Sequence, residues 1–223
     1  VTTRDAIGLE QRIIESVESG RGTAPAIVPS EVAGERLQAL SQLKYGMTLN
    51  AGQENAGRLL LGSHNRIVAI QGIAGAGKST VLKPVADILR EEGRTVLGLA
   101  VQNTLVQMLE RETGIPSMTV TRFLRRHRDL LEGGDPARVA EARAAMRGTV
   151  VLLDEASMVG NADKEKLVRL ANLLELDRFA SIGDRKQLGA VDAGKPFDVM
   201  QQAGVETAVM NINVRARQKA LRN

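Results

Sequence analysis

The stretch that decides the fold is Ile67-Val68-Ala69-Ile70-Gln71-Gly72-Ile73-Ala74-Gly75-Ala76-Gly77-Lys78-Ser79-Thr80. Its opening is a short apolar run rich in β-branched residues, which reads as a buried strand. From Gly72 onward it matches the phosphate-loop pattern G-x-x-x-x-G-K-[ST] at every fixed position, between a strand and a helical stretch. Phosphate oxygens need several converging backbone N–H donors and a helix N-terminus, and glycines let the backbone approach that closely. The expected cradle is Gly72, Gly75, Ala76, Gly77, Lys78, Ser79 and Thr80. Within it Lys78 reaches the β- and γ-phosphates and the Ser79 hydroxyl ligates Mg²⁺. A glycine-rich turn with an incidental lysine is the plain alternative. Three glycines, a lysine and a hydroxyl in register after a strand count against it.

Three further apolar runs repeat the pattern: Val96-Leu97-Gly98-Leu99, Val150-Val151-Leu152-Leu153 and Phe179-Ala180-Ser181-Ile182. Each leads through a polar loop into a helical stretch, the alternation that parallel βαβ crossovers produce. The fold expected is α/β, a doubly wound and mostly parallel sheet with helices on both faces. Ligands bind such sheets at the carboxyl ends of the strands, so Gly72, Asp154 and Gly183 should converge on one edge. Ahead of this region, Asp5, Ile7, Leu9, Ile13, Ile14 and Val17 mark an amphipathic helix that stops at Ser19-Gly20. The Gly/Pro-rich residues 20–29 read as a linker, and helix resumes from Glu31 to Leu43. The opening helix thus reads as an appendage to a body that begins near Ser30. Residues 1–45 are set apart as a helical N-terminal segment with its linker, and 46–223 as the nucleotide-binding domain. The Ala/Arg/Glu-rich residues 136–147 read as a surface helix.

The run 150–153 ends in Asp154-Glu155, an acidic pair delivered opposite the phosphate loop. Asp154 suits Mg²⁺ coordination through the ion's water shell. Glu155 suits the general base that polarises water attacking the γ-phosphate. A helix N-cap with an acidic first turn is the alternative reading. A kinase passing phosphate to a small molecule has no use for Glu155, so the pair favours hydrolysis. The run 179–182 ends in Gly183-Asp184-Arg185-Lys186-Gln187. The Gln187 amide both donates and accepts, which suits a sensor of the γ-phosphate, whereas an Asp-initiated turn is the competing reading.

Composition sets limits. The chain has 223 residues, 43% of them hydrophobic, and no Cys or Trp; that is enough for one large domain and rules out a disulfide scaffold. No uncharged apolar run approaches the roughly 18 residues of a membrane span, and Val1-Thr2-Thr3-Arg4 leads into no apolar stretch of the kind a signal peptide needs. The cytoplasm is the expected location. A net charge of +4 and a pI near 9.7 allow a polyanionic partner. Positive charge gathers at Arg122, Arg125, Arg126, His127 and Arg128, and again at Arg215, Arg217, Lys219 and Arg222. Solvated helix faces are the plain reading of both clusters. His64 and His127 lack companions at metal-ligand spacing, so Mg²⁺ is the metal expected.

With these segments in this order, the chain resembles the first motor domain of superfamily 1 helicases, in particular the RecD-like branch and the helicase part of conjugative relaxases of the TraI/TrwC type. The resemblance covers most of the chain and implies a RecA-like P-loop NTPase domain that uses ATP and Mg²⁺. Leu49-Asn50-Ala51-Gly52-Gln53-Glu54-Asn55-Ala56 is similar to the family's Q-motif, which assigns the adenine edge to Gln53. Residues 98–104 resemble motif Ia and residues 118–124 the segment after it; both line the single-strand track in that family. The resemblance therefore makes Gln102, Asn103, Thr104, Thr119, Thr121, Arg122 and Phe123 candidate DNA contacts, with Phe123 as the aromatic on which a base stacks. Relatives commonly read Ala-Pro-Thr where Ala100-Val101-Gln102 stands here, and Thr-Val-His where Thr121 takes the place of the histidine. The stretch from Val209 to Gln218 looks like the motif whose arginine reaches the γ-phosphate. Arg217 is named first and Arg215 second for that arginine finger.

By the same resemblance the chain is expected to be part of an ATP-hydrolysing motor that moves 5′ to 3′ on single-stranded DNA in conjugative transfer, with the conjugation machinery as a further partner and no membrane. Such motors close a second RecA-like domain onto the nucleotide, so a piece of a longer relaxase-helicase is expected. A module that binds nucleotide and DNA without independent turnover is the competing expectation. A kinase or GTPase is disfavoured, because no Asn/Thr-Lys-x-Asp guanine-reading segment is present.

Overall fold

The computed structural model describes residues 4–73, 75–184 and 196–214, with the backbone alone for 196–198. Its strands are β1 Ile67–Gly72, β2 Thr95–Ala100, β3 Ser117–Thr119, β4 Thr149–Leu153, β5 Arg178–Gly183 and β6 Glu206–Met210. They pair in the order β3-β2-β4-β5-β1-β6, and every pairing is parallel. The four expected strands are present and form the interior with their apolar runs. The two that apolar runs do not announce, β3 and β6, are the edges. β3 is three residues long, and β6 alternates exposed and buried positions because only part of it faces the core.

The helices are α1 Arg4–Ser19, α2 Ser30–Tyr45, α3 Ala51–Gly62, α4 Lys78–Glu91, α5 Asn103–Thr113, α6 Val120–Arg126, α7 Arg128–Leu131, α8 Pro136–Ala145, α9 Asn161–Leu173 and α10 Pro196–Gln202. They cover both faces of the sheet, whose side chains alternate with the pleat. Val68, Ile70, Val150, Leu152, Ala180 and Ile182 pack with α2, α3, α4 and α5 on one face. Ile67, Ala69, Val151, Leu153 and Phe179 pack with α1, α6, α9 and α10 on the other. Burial on both faces explains why these strands read as continuous apolar runs. The run 136–147 is the surface helix expected: Asp135 caps α8 at the Ala137 N–H, and the helix buries no residue.

The opening helix is not an appendage. Ile13 is fully buried and Val17 nearly so, in the cluster that contains Ile67, Phe179 and residues of α9. Residues 20–29 carry the chain from that face to the other, and they are packed: Ala24, Ile27 and Val28 are buried, and the Ile27 N–H donates to the Leu61 carbonyl at 2.8 Å. Glycines and prolines here shape a fixed crossing.

Two buried basic side chains hold this arrangement. The Arg178 guanidinium, inaccessible at the start of β5, donates to the backbone carbonyls of Leu60, Ser63, Asn65 and Pro25. It thereby ties the end of α3 and the crossing segment to the sheet. Burial pulls its pKa down to about 10, so it stays charged at neutral pH. Lys164 of α9 is fully buried and donates to the Ser181 hydroxyl on β5 at 3.0 Å, and burial lowers its pKa to about 7.

Arg178→Leu strands four carbonyls without a donor and is expected to cost about 3 kcal/mol or more, read as a lowered urea midpoint; an unchanged midpoint would contradict the tie. Lys164 gives a pH test. Above about 7 the native amine is neutral while the unfolded one stays protonated up to its ordinary 10.5, so native stability rises with pH across that window. Compared with Lys164→Met, the wild type should gain stability between pH of about 7 and about 10; parallel pH trends in the two proteins would contradict a desolvated amine.

Candidate nucleotide site and nucleic-acid edge

Because all strands run parallel, β1, β4 and β5 release Gly72, Asp154 and Gly183 on one edge, as expected. The register places Gln71 beside Gly183 and Leu153 beside Ser181. From β1 the chain enters the phosphate loop, described except for Ala74. Gly75 and Gly77 have φ of 79° and 76°, a left-handed backbone that costs glycine nothing. Gly77 at the N-cap of α4 offers no capping side chain, and the helix starts at Lys78 with Ser79 and Thr80 in its first turn. An uncapped helix start behind glycines is a ready anion site.

Two neighbours hold this loop. The first is Gln53. Asn50 caps α3 in a reciprocal capping box, with Asn50 Oδ1 accepting from the Gln53 N–H and Gln53 Oε1 accepting from the Asn50 N–H, both at 3.0 Å. Gln53 Nε2 then donates to the carbonyls of Ala76 and Gly77, each at 3.3 Å. The side chain assigned to the adenine edge is therefore 3% exposed and committed to the loop. The second neighbour is the exit of β6. The Ile73 N–H donates to the Met210 carbonyl at 3.2 Å and the Val214 N–H to the Gly75 carbonyl at 3.0 Å. A Cβ on Gly75 would lie 2.8 Å from Asn213 Oδ1.

Across the edge, the Asp154 N–H donates to the Leu99 carbonyl at 2.9 Å, and the chain then turns at Glu155 with φ 48° and ψ 45°. A left-handed conformation in a non-glycine residue costs on the order of 1 kcal/mol. It sends Glu155 Oε1 to within 3.2 Å of Lys78 Nζ. Ser79 Oγ donates to Glu112 Oε2 of α5 at 2.5 Å; nothing in the local sequence around Glu112 marks it. Burial, reinforced by the Glu155 charge, raises the Asp154 pKa above the usual aspartate range. Asp154 Oδ1 and Glu155 Oε2 are buried with no hydrogen-bond partner among the described residues. No cluster of three or more His, Cys, Asp or Glu suited to a metal occurs among the described residues. One or two carboxylates with unmet acceptors, beside a phosphate cradle, fit Mg²⁺, which takes few protein ligands and completes its shell with phosphate and water.

The expected strand-contact residues lie on the same sheet edge. Ala100 and Thr119 are in register on β2 and β3, so residues 102–104 and 121–122 emerge side by side. Gln102, Asn103, Thr104, Thr121 and Arg122 are exposed. Thr119 caps α6, accepting from the Arg122 N–H at 3.2 Å. Phe123 corrects the expectation: it is 1% exposed within the core, so its ring is not available for a base. His127 leaves the basic cluster as well. It is buried against Phe123, with ring centroids 4.6 Å apart, and burial lowers its pKa. Arg128 pairs with Glu132 at 2.6 Å. Arg122, Arg125 and Arg126 remain exposed, with no ion pair among the described residues. Gln187, Arg215 and Arg217 lie outside the described residues.

A family model described as an AAA domain (AAA_30) matches residues 48–223. The multifunctional conjugation protein TraI of Escherichia coli strain K12 is 28% identical over 96% of this chain and 11% of its own length. The probable conjugal transfer protein TraA of Sinorhizobium fredii is 30% identical over 88% of this chain and 16% of its own. The ATP-dependent RecD2 DNA helicase of Deinococcus radiodurans is 33% identical over 62% of this chain and 18% of its own. The chain thus spans less than a fifth of the length of these relatives. Among solved structures, the Pif1 helicase from Candida albicans has the same fold, with a TM-score of 0.51 at 19% identity over 76% of this chain and 41% of that one. With the glycine-rich loop, the acidic pair and the parallel sheet in place, the chain belongs to the AAA-domain family whose model it matches and is a superfamily 1, RecD-like helicase motor domain.

Proposed function

We propose that the chain is the ATP-binding and hydrolysing first motor domain of a DNA helicase that moves 5′ to 3′ on single strands in conjugative transfer, acting in the cytoplasm within a longer relaxase-helicase. The carrying observation is the meeting of Lys78 and Glu155 at 3.2 Å, beside buried carboxylate oxygens that have no hydrogen-bond partner among the described residues. In this reading residues 46–223 are the motor domain, and residues 1–45 close its faces. Lys78 and the loop N–H groups hold the phosphates, and Ser79 with Asp154 holds Mg²⁺, which neutralises charge on the phosphate oxygens. Glu155 takes a proton from the attacking water. Gln53 stiffens the loop from beneath, and its Oε1, which accepts one bond from the Asn50 N–H, has a second lone pair for an adenine N–H. Gln187 senses the γ-phosphate, and Arg217 or Arg215 neutralises charge on the phosphoryl group. Single-stranded DNA follows Gln102, Asn103, Thr104, Thr119, Thr121 and Arg122, with Arg125 and Arg126 adding salt-sensitive attraction to phosphates.

The test is ATP hydrolysis by this chain with and without single-stranded DNA, with GTP as competitor. DNA-stimulated, ATP-selective turnover is expected. Glu155→Gln should lower the rate by about 100-fold or more while keeping nucleotide binding, and Lys78→Ala should lose both. Nucleotide binding without turnover would favour the passive module, and Glu155→Gln hydrolysing at the wild-type rate would remove the general base.

A further inference from the structure

We propose that Glu112 is a positioning residue of the magnesium-nucleotide site, a role that rests on the reading just given. Ser79, the hydroxyl of the phosphate loop, donates to Glu112 Oε2 at 2.5 Å. A serine oxygen that ligates a divalent cation keeps its proton, and that proton needs an acceptor. A carboxylate fixes the hydroxyl rotamer, aims the free lone pair away from itself and makes the oxygen a better donor to the metal. The neighbouring acid on the same helix does a different job: Glu110 Oε1 accepts from the Ser117 N–H at 2.9 Å and helps seat β3. Glu112 is half-buried between α5 and α4, and its charge is among those that raise the Asp154 pKa.

The helix that carries Glu112 gives the contact a further consequence. α5 opens at Asn103, immediately after Gln102, so one rigid helix runs about 14 Å from the exposed strand-contact segment to the Ser79 hydroxyl. α5 thus joins that segment and the Ser79 contact within one helix, with no loop between them.

The experiment titrates the full chain with a fluorescent ADP analogue, in Mg²⁺ and separately in EDTA, for the wild type, Glu112→Ala, Glu112→Gln, Ser79→Ala and the Ser79→Ala/Glu112→Ala pair. In Glu112→Ala the affinity gained from Mg²⁺ should fall about tenfold, with affinity in EDTA unchanged. Glu112→Gln should recover part of it, since its amide oxygen still accepts, and the pair should bind no worse than Ser79→Ala alone. A wild-type response to Mg²⁺ in Glu112→Ala would overturn the positioning role alone, leaving the proposed function standing. Equal losses in Mg²⁺ and EDTA would also overturn it, in favour of packing. Failure of the wild type to bind the probe in either condition would contradict the proposed function itself, and this role with it.

Discussion

Lys78 and Glu155 meet at 3.2 Å although they leave strands that are not neighbours, for β5 lies between β1 and β4. The turn after β4 must therefore lean over the exit of β5. Two local features allow it. Glu155 takes the left-handed backbone that redirects the chain, and Gly183 leaves the space: a Cβ there would stand 3.1 Å from the Ser157 N–H nitrogen. The price of that geometry is a strained residue, an aspartate with a raised pKa and two buried carboxylate oxygens without partners among the described residues. Local strain and unmet acceptors gathered at one point mark a ligand site better than any single motif.

Everything else in the fold holds that meeting point still. α2 and α3 brace one face and α1 and α9 the other, and the Arg178 guanidinium fastens the crossing between them by backbone carbonyls alone. The phosphate loop is pinned from below by Gln53 and from the side by the exit of β6, which leads directly into the segment carrying Arg215 and Arg217. The residues proposed for nucleotide and for strand contact share one sheet edge, with β4 bonded to β2 through Asp154 and Leu99.

The interior of the sheet was legible because strands buried on both faces must be apolar throughout. The edges were not, since β3 and β6 meet the core on fewer positions and their sequences look like loops. The convergence of the glycine-rich loop and Asp154-Glu155 on one edge was legible because parallel strands release their C-terminal loops on the same side. Phe123 was misplaced for the opposite reason: an aromatic beside arginines has the same sequence signature whether it stacks on a base or fills the core. The opening helix was misread because a Gly/Pro-rich stretch serves equally as a loose linker and as a tight crossing. Glu112 left no signal at all, because its partner Ser79 lies 33 residues away and only the packing of α5 on α4 joins them.

The most direct measurement is a calorimetric titration of the chain with ATP in the presence and absence of Mg²⁺, repeated on Asp154→Asn. A magnesium-assisted ATP site is supported if the wild type binds more tightly with Mg²⁺ and Asp154→Asn loses that increment. It is contradicted if ATP does not bind, or if Asp154→Asn keeps the full magnesium effect.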